Sequence, residues 1–123
     1  MTVPVSAYAK GVMGEIAARH LLEEHGLHFL EANYRVVGGE IDLIMTDADT
    51  IVFAEVKCRE HATVEEAMMS VTPKKTARIA KAARCWLGEH PEYMEHFIRF
   101  DAVLITAYDQ VHIPDAFRVT ENE

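Results

Sequence analysis

Apolar side chains recur at intervals of three and four residues over residues 9–21, which is the period of an α-helix. We predict a first helix from Ser6, whose hydroxyl can cap the first turn, to about His25. Gly26 follows, and glycine readily adopts the left-handed backbone conformation that ends many helices.

A second helix is predicted over residues 72–87, with Thr72 as the N-cap and Pro73 in the first helical position. Gly88 is expected to end this helix. Its inward face is formed by four residues that share helical spacing: Ile79, Ala82, Ala83 and Trp86. Three basic residues share another face: Lys74, Arg78 and Lys81.

The segments between and after these helices are predicted to be strands, and the segment over residues 51–57 is rich in Val, Ile and Phe. They cover residues 27–35, 40–46, 51–57 and 98–108, with a weaker segment at 111–117. The short turn before residue 51 favours an antiparallel hairpin of the second and third strands. The element order is therefore α-β-β-β-α-β with a possible last strand, which predicts one mixed α/β domain.

The predicted hairpin brings two acidic side chains together. A turn at residues 47–50 pairs Thr46 with Ile51, and the same register sets Asp42 opposite Glu55. Like charges that face each other directly across a strand pair are destabilising. Folding alone therefore does not favour this carboxylate pair, which suggests a chemical role for it.

The same register sets Glu40 opposite Lys57, at the end of a strand whose residues 51–54 are all apolar. Two carboxylates held a few ångströms apart suit Mg²⁺ or Mn²⁺. A lysine beside such a metal can stabilise an attacking hydroxide or a developing phosphorane charge. The alternative is a structural ion-pair network in which Lys57 binds Glu40 or Glu55.

Composition describes one globular domain over residues 1–123, with its core at about 6–117, because half of the residues are hydrophobic. The longest apolar stretches span only a few residues, so no membrane span is expected. No secretory signal is evident either. Cys58 and Cys85 are expected to be reduced thiols, and the protein is expected to be cytoplasmic.

Charge is unevenly distributed along the chain. The net charge is −8, which disfavours binding to nucleic acid. Residues 67–88, however, contain five basic residues and no acidic one. The basic face of the second helix could therefore contact a phosphate backbone, giving affinity without sequence readout. The alternative is an ordinary solvated helix face.

Asp42, followed thirteen residues later by Glu55-Val56-Lys57, resembles the PD-(D/E)xK nuclease motif, with Ile41 where that motif often has proline. Further segments occur in a characteristic order: Gly14-Glu15, Asn33-Tyr34-Arg35, Gly39–Ile44, Phe53–Arg59, Lys74 or Lys75 with Arg78-Ile79 and Ala82-Ala83, and Arg99-Phe100-Asp101. Together they resemble the YraN family of small bacterial proteins of unassigned function. That family is similar to archaeal Holliday-junction resolvases and has a restriction-endonuclease-like fold.

The resemblance implies roles for individual residues. Asp42 and Glu55 would be metal ligands, and the backbone carbonyl of Val56 would be a third donor. Lys57 would be the catalytic lysine. Glu15 would correspond to the first-helix acid of the resolvases, which approaches the same site.

Two further charged residues have open assignments. Glu40 is either an accessory acid or the partner of Lys57. Arg59 either reaches a phosphate or is a solvated residue at the end of its strand.

The resemblance further implies a Mg²⁺- or Mn²⁺-dependent endonuclease that hydrolyses phosphodiester bonds of DNA, with branched or structured DNA as a candidate substrate. A homodimer is expected by analogy, because a four-way junction has two-fold symmetry. The alternative is a non-catalytic module that retains a nuclease fold to bind nucleic acid or another protein.

Overall fold

The computed structural model describes residues 7–119, with side chains from residue 11 onward. The predicted N-cap Ser6 lies outside these residues. The described residues form three α-helices, α1 (Ala7–Glu24), α2 (Val64–Met69) and α3 (Pro73–Glu89), and one short 3-10 helix at Pro91–Tyr93. Five strands are β1 (His28–Val36), β2 (Gly39–Thr46), β3 (Thr50–Cys58), β4 (Phe97–Ile105) and β5 (Gln110–Ile113).

The strands form one mixed sheet in the order β1-β2-β3-β4-β5. Only β3 and β4 are parallel, and the segment between them carries α2 and α3. The other neighbouring strands are antiparallel. This five-stranded mixed sheet flanked by helices confirms the predicted α/β class and is compatible with a restriction-endonuclease-like core. Among the described helices, none is both long and apolar enough to cross a membrane.

Helices cover both faces of the sheet and form its two main apolar clusters. On one face, Ala18 and Leu22 of α1 pack against buried residues of β2 and β3. On the other face, α3 contributes the inward residues predicted from its spacing, and all of them are buried: Ile79, Ala82, Ala83 and Trp86. Trp86 meets Phe53 of β3 edge to face, which confirms its place in the core.

Two glycines allow the helices to lie this close to the sheet. A Cβ atom at Gly39 would lie 2.5 Å from the backbone oxygen of Arg78 in α3. A Cβ atom at Gly14 of α1 would lie 2.1 Å from the Sγ of Cys58 in β3. Both distances are too short for a real contact. The approach at Gly39 requires glycine because it meets backbone, whereas at Gly14 the Cys58 side chain would have to move.

Several predicted boundaries were wrong. α3 continues through Gly88 to Glu89, because packing of its apolar face outweighs the cost of an interior glycine. β4 ends at Ile105 instead of about residue 108, because Thr106 and Asp109 form a turn closed by two hydrogen bonds. α2 was not predicted, although Thr63 and its partner three residues later form a capping box.

A buried carboxylate joins the last two strands. Asp101 of β4 is fully buried and accepts two hydrogen bonds from Arg99, at 2.8 and 2.9 Å. Its oxygens also lie 2.6 Å from Nε2 of His112 in β5 and 2.9 Å from the backbone nitrogen of Asp115. Burial alone would raise the pKa of Asp101, but the bonds from His112, Arg99 and Asp115 hold it below its usual value.

Candidate active site

The β2–β3 hairpin has the predicted register, and its pairing stops at the acidic residues. Thr46 pairs with Ile51, and the ladder continues as far as Leu43 and Ala54. At the next residue, the side chain of Asp42 accepts a hydrogen bond from the backbone nitrogen of Val56, at 2.8 Å. A carboxylate therefore takes the place of a backbone acceptor, and the two strands separate here.

The carboxyl groups of Asp42 and Glu55 interact although their backbones are not paired. The pKa of Asp42 is raised to about 7 by burial first, and then by the negative charge of Glu55 and a hydrogen bond with it. The charge of Glu15 raises it further, while the bond from Val56 opposes these effects. Near neutral pH, Asp42 is therefore partly protonated, because burial and the neighbouring carboxylate disfavour its charged form.

Glu15 reaches the cluster from α1, which Gly14 brings close to β3. The amide nitrogen of Asn33 donates a hydrogen bond of 2.9 Å to Glu15. Asn33 lies in β1 with a φ of 55°, in the left-handed region that asparagine tolerates better than most residues. Asn33 had no predicted role, and the signal available for finding it was an asparagine within a predicted strand.

Lys57 and Glu55 form an ion pair on β3. Their side chains are separated by 2.9 Å and both residues are buried, with 6% and 8% of their surfaces exposed. Of the two carboxylates that the sequence left open as partners of Lys57, the structure has Glu55 and not Glu40. Glu40 lies opposite Arg35 of β1 and forms an ion pair with it at 3.5 Å, because β2 and β3 have already separated at this position.

A basic groove of about 360 Å³ lies between the ends of β2 and β3 and the first turns of α3. Its charged lining consists of four basic and two acidic residues: Lys57, Lys74, Lys75, Arg78, Glu40 and Glu55. The basic helix face predicted from sequence therefore adjoins the carboxylates at its N-terminal end. Lys75 also belongs to this lining, and it was not among the predicted phosphate contacts.

The other predicted phosphate contacts lie outside the groove. Lys81 shares the predicted face of α3 but lies over the β1–β2 turn, where its Nζ would be 3.0 Å from a Cβ atom placed on Gly38. Arg59 follows β3, is exposed, and donates a hydrogen bond of 2.9 Å to the carbonyl of Cys58. The structure thus brings Lys74 and Arg78 into the lining of the groove with Glu55, and leaves Lys81 and Arg59 outside that lining.

Lys57 and Lys75 both line the basic groove, and each changes the pKa of the other. Burial would lower the pKa of Lys57, but its interactions with Lys75 and Glu55 raise it. The interaction with Lys57 and burial lower the pKa of Lys75. Both neighbours therefore favour the charged form of Lys57, whereas Lys57 disfavours the charged form of Lys75.

The predicted metal ligands fit a divalent cation only with help from solvent or substrate. In the part of the chain that the structure describes, no three His, Cys, Asp or Glu side chains are placed together as a metal cage. Asp42, Glu55 and the carbonyl of Val56 offer two carboxylates and one carbonyl. Mg²⁺ commonly keeps several waters and takes only one or two protein carboxylates. The raised pKa of Asp42 indicates that a second negative charge beside Glu55 is unfavourable here, and this is the feature that suits a cation.

Comparison with known proteins identifies relatives over most of the chain. The family model described as "Uncharacterised protein family UPF0102" matches residues 14–105. A UPF0102 protein of Rhodopseudomonas palustris is 37% identical over 117 residues, which cover 94% of this chain and 88% of the relative. A UPF0102 protein of Klebsiella pneumoniae is 46% identical over 104 residues, covering 84% and 81% of the two chains. These matches confirm the resemblance to the YraN family.

Proposed function

We propose that this chain, which belongs to the uncharacterised protein family UPF0102, is a metal-dependent nuclease that hydrolyses phosphodiester bonds of DNA. One observation carries the proposal. The carboxyl groups of Asp42 and Glu55 lie together where β2 and β3 separate, and Glu55 also lines a basic groove of about 360 Å³. A cation site next to an anion site is what metal-assisted phosphodiester hydrolysis needs.

The residues take distinct roles in this proposal. Asp42, Glu55 and the carbonyl of Val56 would hold Mg²⁺ or Mn²⁺, which supplies an activated water and polarises the phosphate when bound. Glu15, oriented by Asn33, adds negative charge that favours cation binding. Lys57 is held beside Glu55 and stabilises negative charge that develops on the phosphate.

Lys74 and Arg78 line the groove and contact the phosphates of the bound strand. These contacts do not read bases, so they suit recognition of DNA structure rather than sequence. Branched DNA and a homodimer of this chain complete the proposal, since two copies related by two-fold symmetry would match a symmetric junction.

A non-catalytic nucleic-acid-binding module is the second candidate. The net charge of −8 favours it, because an acidic protein gains little affinity for DNA outside its basic groove. In this role, the Glu55–Lys57 ion pair would be a structural element.

A cleavage assay on linear, flapped and four-way-junction DNA separates the two candidates. With Mg²⁺ or Mn²⁺, we expect cleavage by the wild-type chain that disappears in EDTA and in the Glu55→Gln variant. The variant Glu95→Gln removes an exposed carboxylate elsewhere and serves as the matched control. DNA binding without cleavage would favour the non-catalytic module. Equal cleavage by Glu55→Gln would contradict the proposed site.

A further inference from the structure

We propose that Lys57 of β3 and Lys75 of α3 together form a binding site for one phosphate group, with Lys75 as a direct phosphate ligand at the reacting position. This inference rests on the proposed function and deepens it, because it names the residue that holds the phosphate beside the carboxylates. The predicted phosphate contacts on α3 did not include Lys75.

Two positive charges share the inner part of the basic groove. Lys57 and Lys75 both line it, with Lys57 buried and Lys75 half-buried. Two ammonium groups in one groove repel each other unless an anion lies between or beside them. The neighbouring anion, Glu55, is engaged by Lys57 at 2.9 Å and also faces Asp42. Lys75 is therefore left with charge that an incoming phosphate can compensate.

The first turn of α3 holds the backbone of Lys75 in a fixed position. The backbone nitrogen of Lys75 donates to the hydroxyl of the N-cap Thr72 at 3.3 Å, which fixes the first turn. Thr76 is buried and donates to the carbonyl of Pro73 at 2.9 Å. Ile79 then anchors the next turn in the core. A lysine on such a fixed backbone loses less freedom on binding than one on a loop.

The basic residues lie at different depths in the groove. Lys57 is buried at the floor, Lys75 is half-buried, and Lys74 and Arg78 are exposed at the rim. A phosphate that touches both Lys57 and Lys75 lies next to Glu55, whereas a phosphate at the rim does not reach it. The arrangement thus assigns the reacting phosphate to the Lys57–Lys75 pair and the flanking phosphates to Lys74 and Arg78.

Binding of inorganic phosphate in EDTA tests this site without any metal or cleavage. Melting temperature is measured as phosphate replaces chloride at constant ionic strength. We expect phosphate to stabilise the wild-type chain, with at least about tenfold weaker apparent affinity in Lys75→Gln, since a charge-assisted hydrogen bond is lost. Lys75→Arg should retain the effect.

Arg84→Gln is the matched control. Arg84 is exposed on the same helix, about two and a half turns further along and hence on the opposite side from Lys75. Arg84→Gln removes one positive charge, as Lys75→Gln does, and should leave the phosphate affinity at the wild-type value. A second arm measures competition of inorganic phosphate with a fluorescent single-stranded DNA, which distinguishes a site for strand phosphates from one for free phosphate.

Each outcome has one meaning. Loss of the phosphate effect in Lys75→Gln alone supports the site, whether or not the wild-type chain cleaves DNA. Phosphate affinity that is equal in the wild type and Lys75→Gln overturns it, as does a wild-type chain that phosphate does not stabilise. Cleavage with Mg²⁺ that is unaffected by Lys75→Gln overturns the assignment to the reacting position while leaving the proposed nuclease intact.

Discussion

Replacing Asp42 by asparagine should stabilise the protein at neutral and alkaline pH in the absence of metal. Asparagine has nearly the same shape, and its oxygen can still accept the hydrogen bond from the Val56 backbone nitrogen. Its amide can also donate to Glu55, so a repulsive contact becomes an attractive one. Glu55 is less suitable for this test, because its removal would leave the buried ammonium of Lys57 without its carboxylate.

The size of the effect follows from the raised pKa of Asp42. A carboxyl group whose pKa rises from 3.8 to about 7 on folding binds its proton more tightly in the folded state. Its protonation therefore favours folding, and the free energy of unfolding should fall as pH increases from about 4 to about 7. At about 1.4 kcal/mol for each tenfold change, the loss approaches 4 kcal/mol. Asp42→Asn removes this loss, which corresponds to a melting temperature higher by on the order of 10 °C at pH 8.

The measurement is a series of thermal and urea unfolding curves between pH 4 and pH 9, in EDTA, for the wild type, Asp42→Asn and the control Glu95→Gln. The difference between wild type and Asp42→Asn should grow with pH and level off above pH 7. Adding Mg²⁺ should stabilise the wild type and have little effect on Asp42→Asn. A lower melting temperature for Asp42→Asn at pH 8, or a difference that does not depend on pH, would refute the reasoning.

Two further predictions concern the framework around the site. Asp101→Asn should lower the free energy of unfolding at pH 7 by about 3–5 kcal/mol, because it leaves buried donors of Arg99 and His112 without their carboxylate. Since the pKa of Asp101 is lowered, this stabilisation is present above pH 3.8 and lost below it, so urea unfolding of the two proteins should converge in acid. Gly14→Ala should cost about 1–3 kcal/mol through its clash with Sγ of Cys58, and Cys58→Ala in the same chain should recover most of it, since the remaining contact is 3.7 Å. A double-mutant cycle with additive effects would contradict this account.

The fold could be predicted from sequence where local chemistry determines it. The Asp47–Thr50 turn fixes the register of β2 and β3, and Thr72 with Pro73 fixes the start of α3. The ends of elements were less predictable because they depend on tertiary contacts. Gly88 remains helical because the residues before it are anchored in the core. The identity of residue 88 alone does not indicate this.

The candidate site was predictable in its residues but not in its geometry. Strand alternation brings Asp42 towards Glu55, yet it cannot show that the Asp42 side chain bonds to Val56 and ends the ladder. The same early separation of the strands explains why Glu40 pairs with Arg35 instead of Lys57. Helical spacing likewise defines the basic face of α3, but which lysine reaches β3 depends on how the helix is rotated against the sheet.

The Glu55–Lys57 ion pair links the two like-charged contacts of the site. Glu55 interacts with the carboxyl group of Asp42, and Lys57 interacts with Lys75. Each member of the Glu55–Lys57 ion pair therefore has a second neighbour of its own charge. A cation that binds the carboxylates withdraws negative charge from Lys57, and Lys57 then needs an anion more strongly. A phosphate that binds the lysines withdraws positive charge from Glu55, and Glu55 then attracts a cation more strongly. Because such coupling is reciprocal, a metal and a phosphate should each increase the affinity of the protein for the other. The like-charged neighbours that disfavour folding in the absence of ligands therefore favour binding of both ligands together.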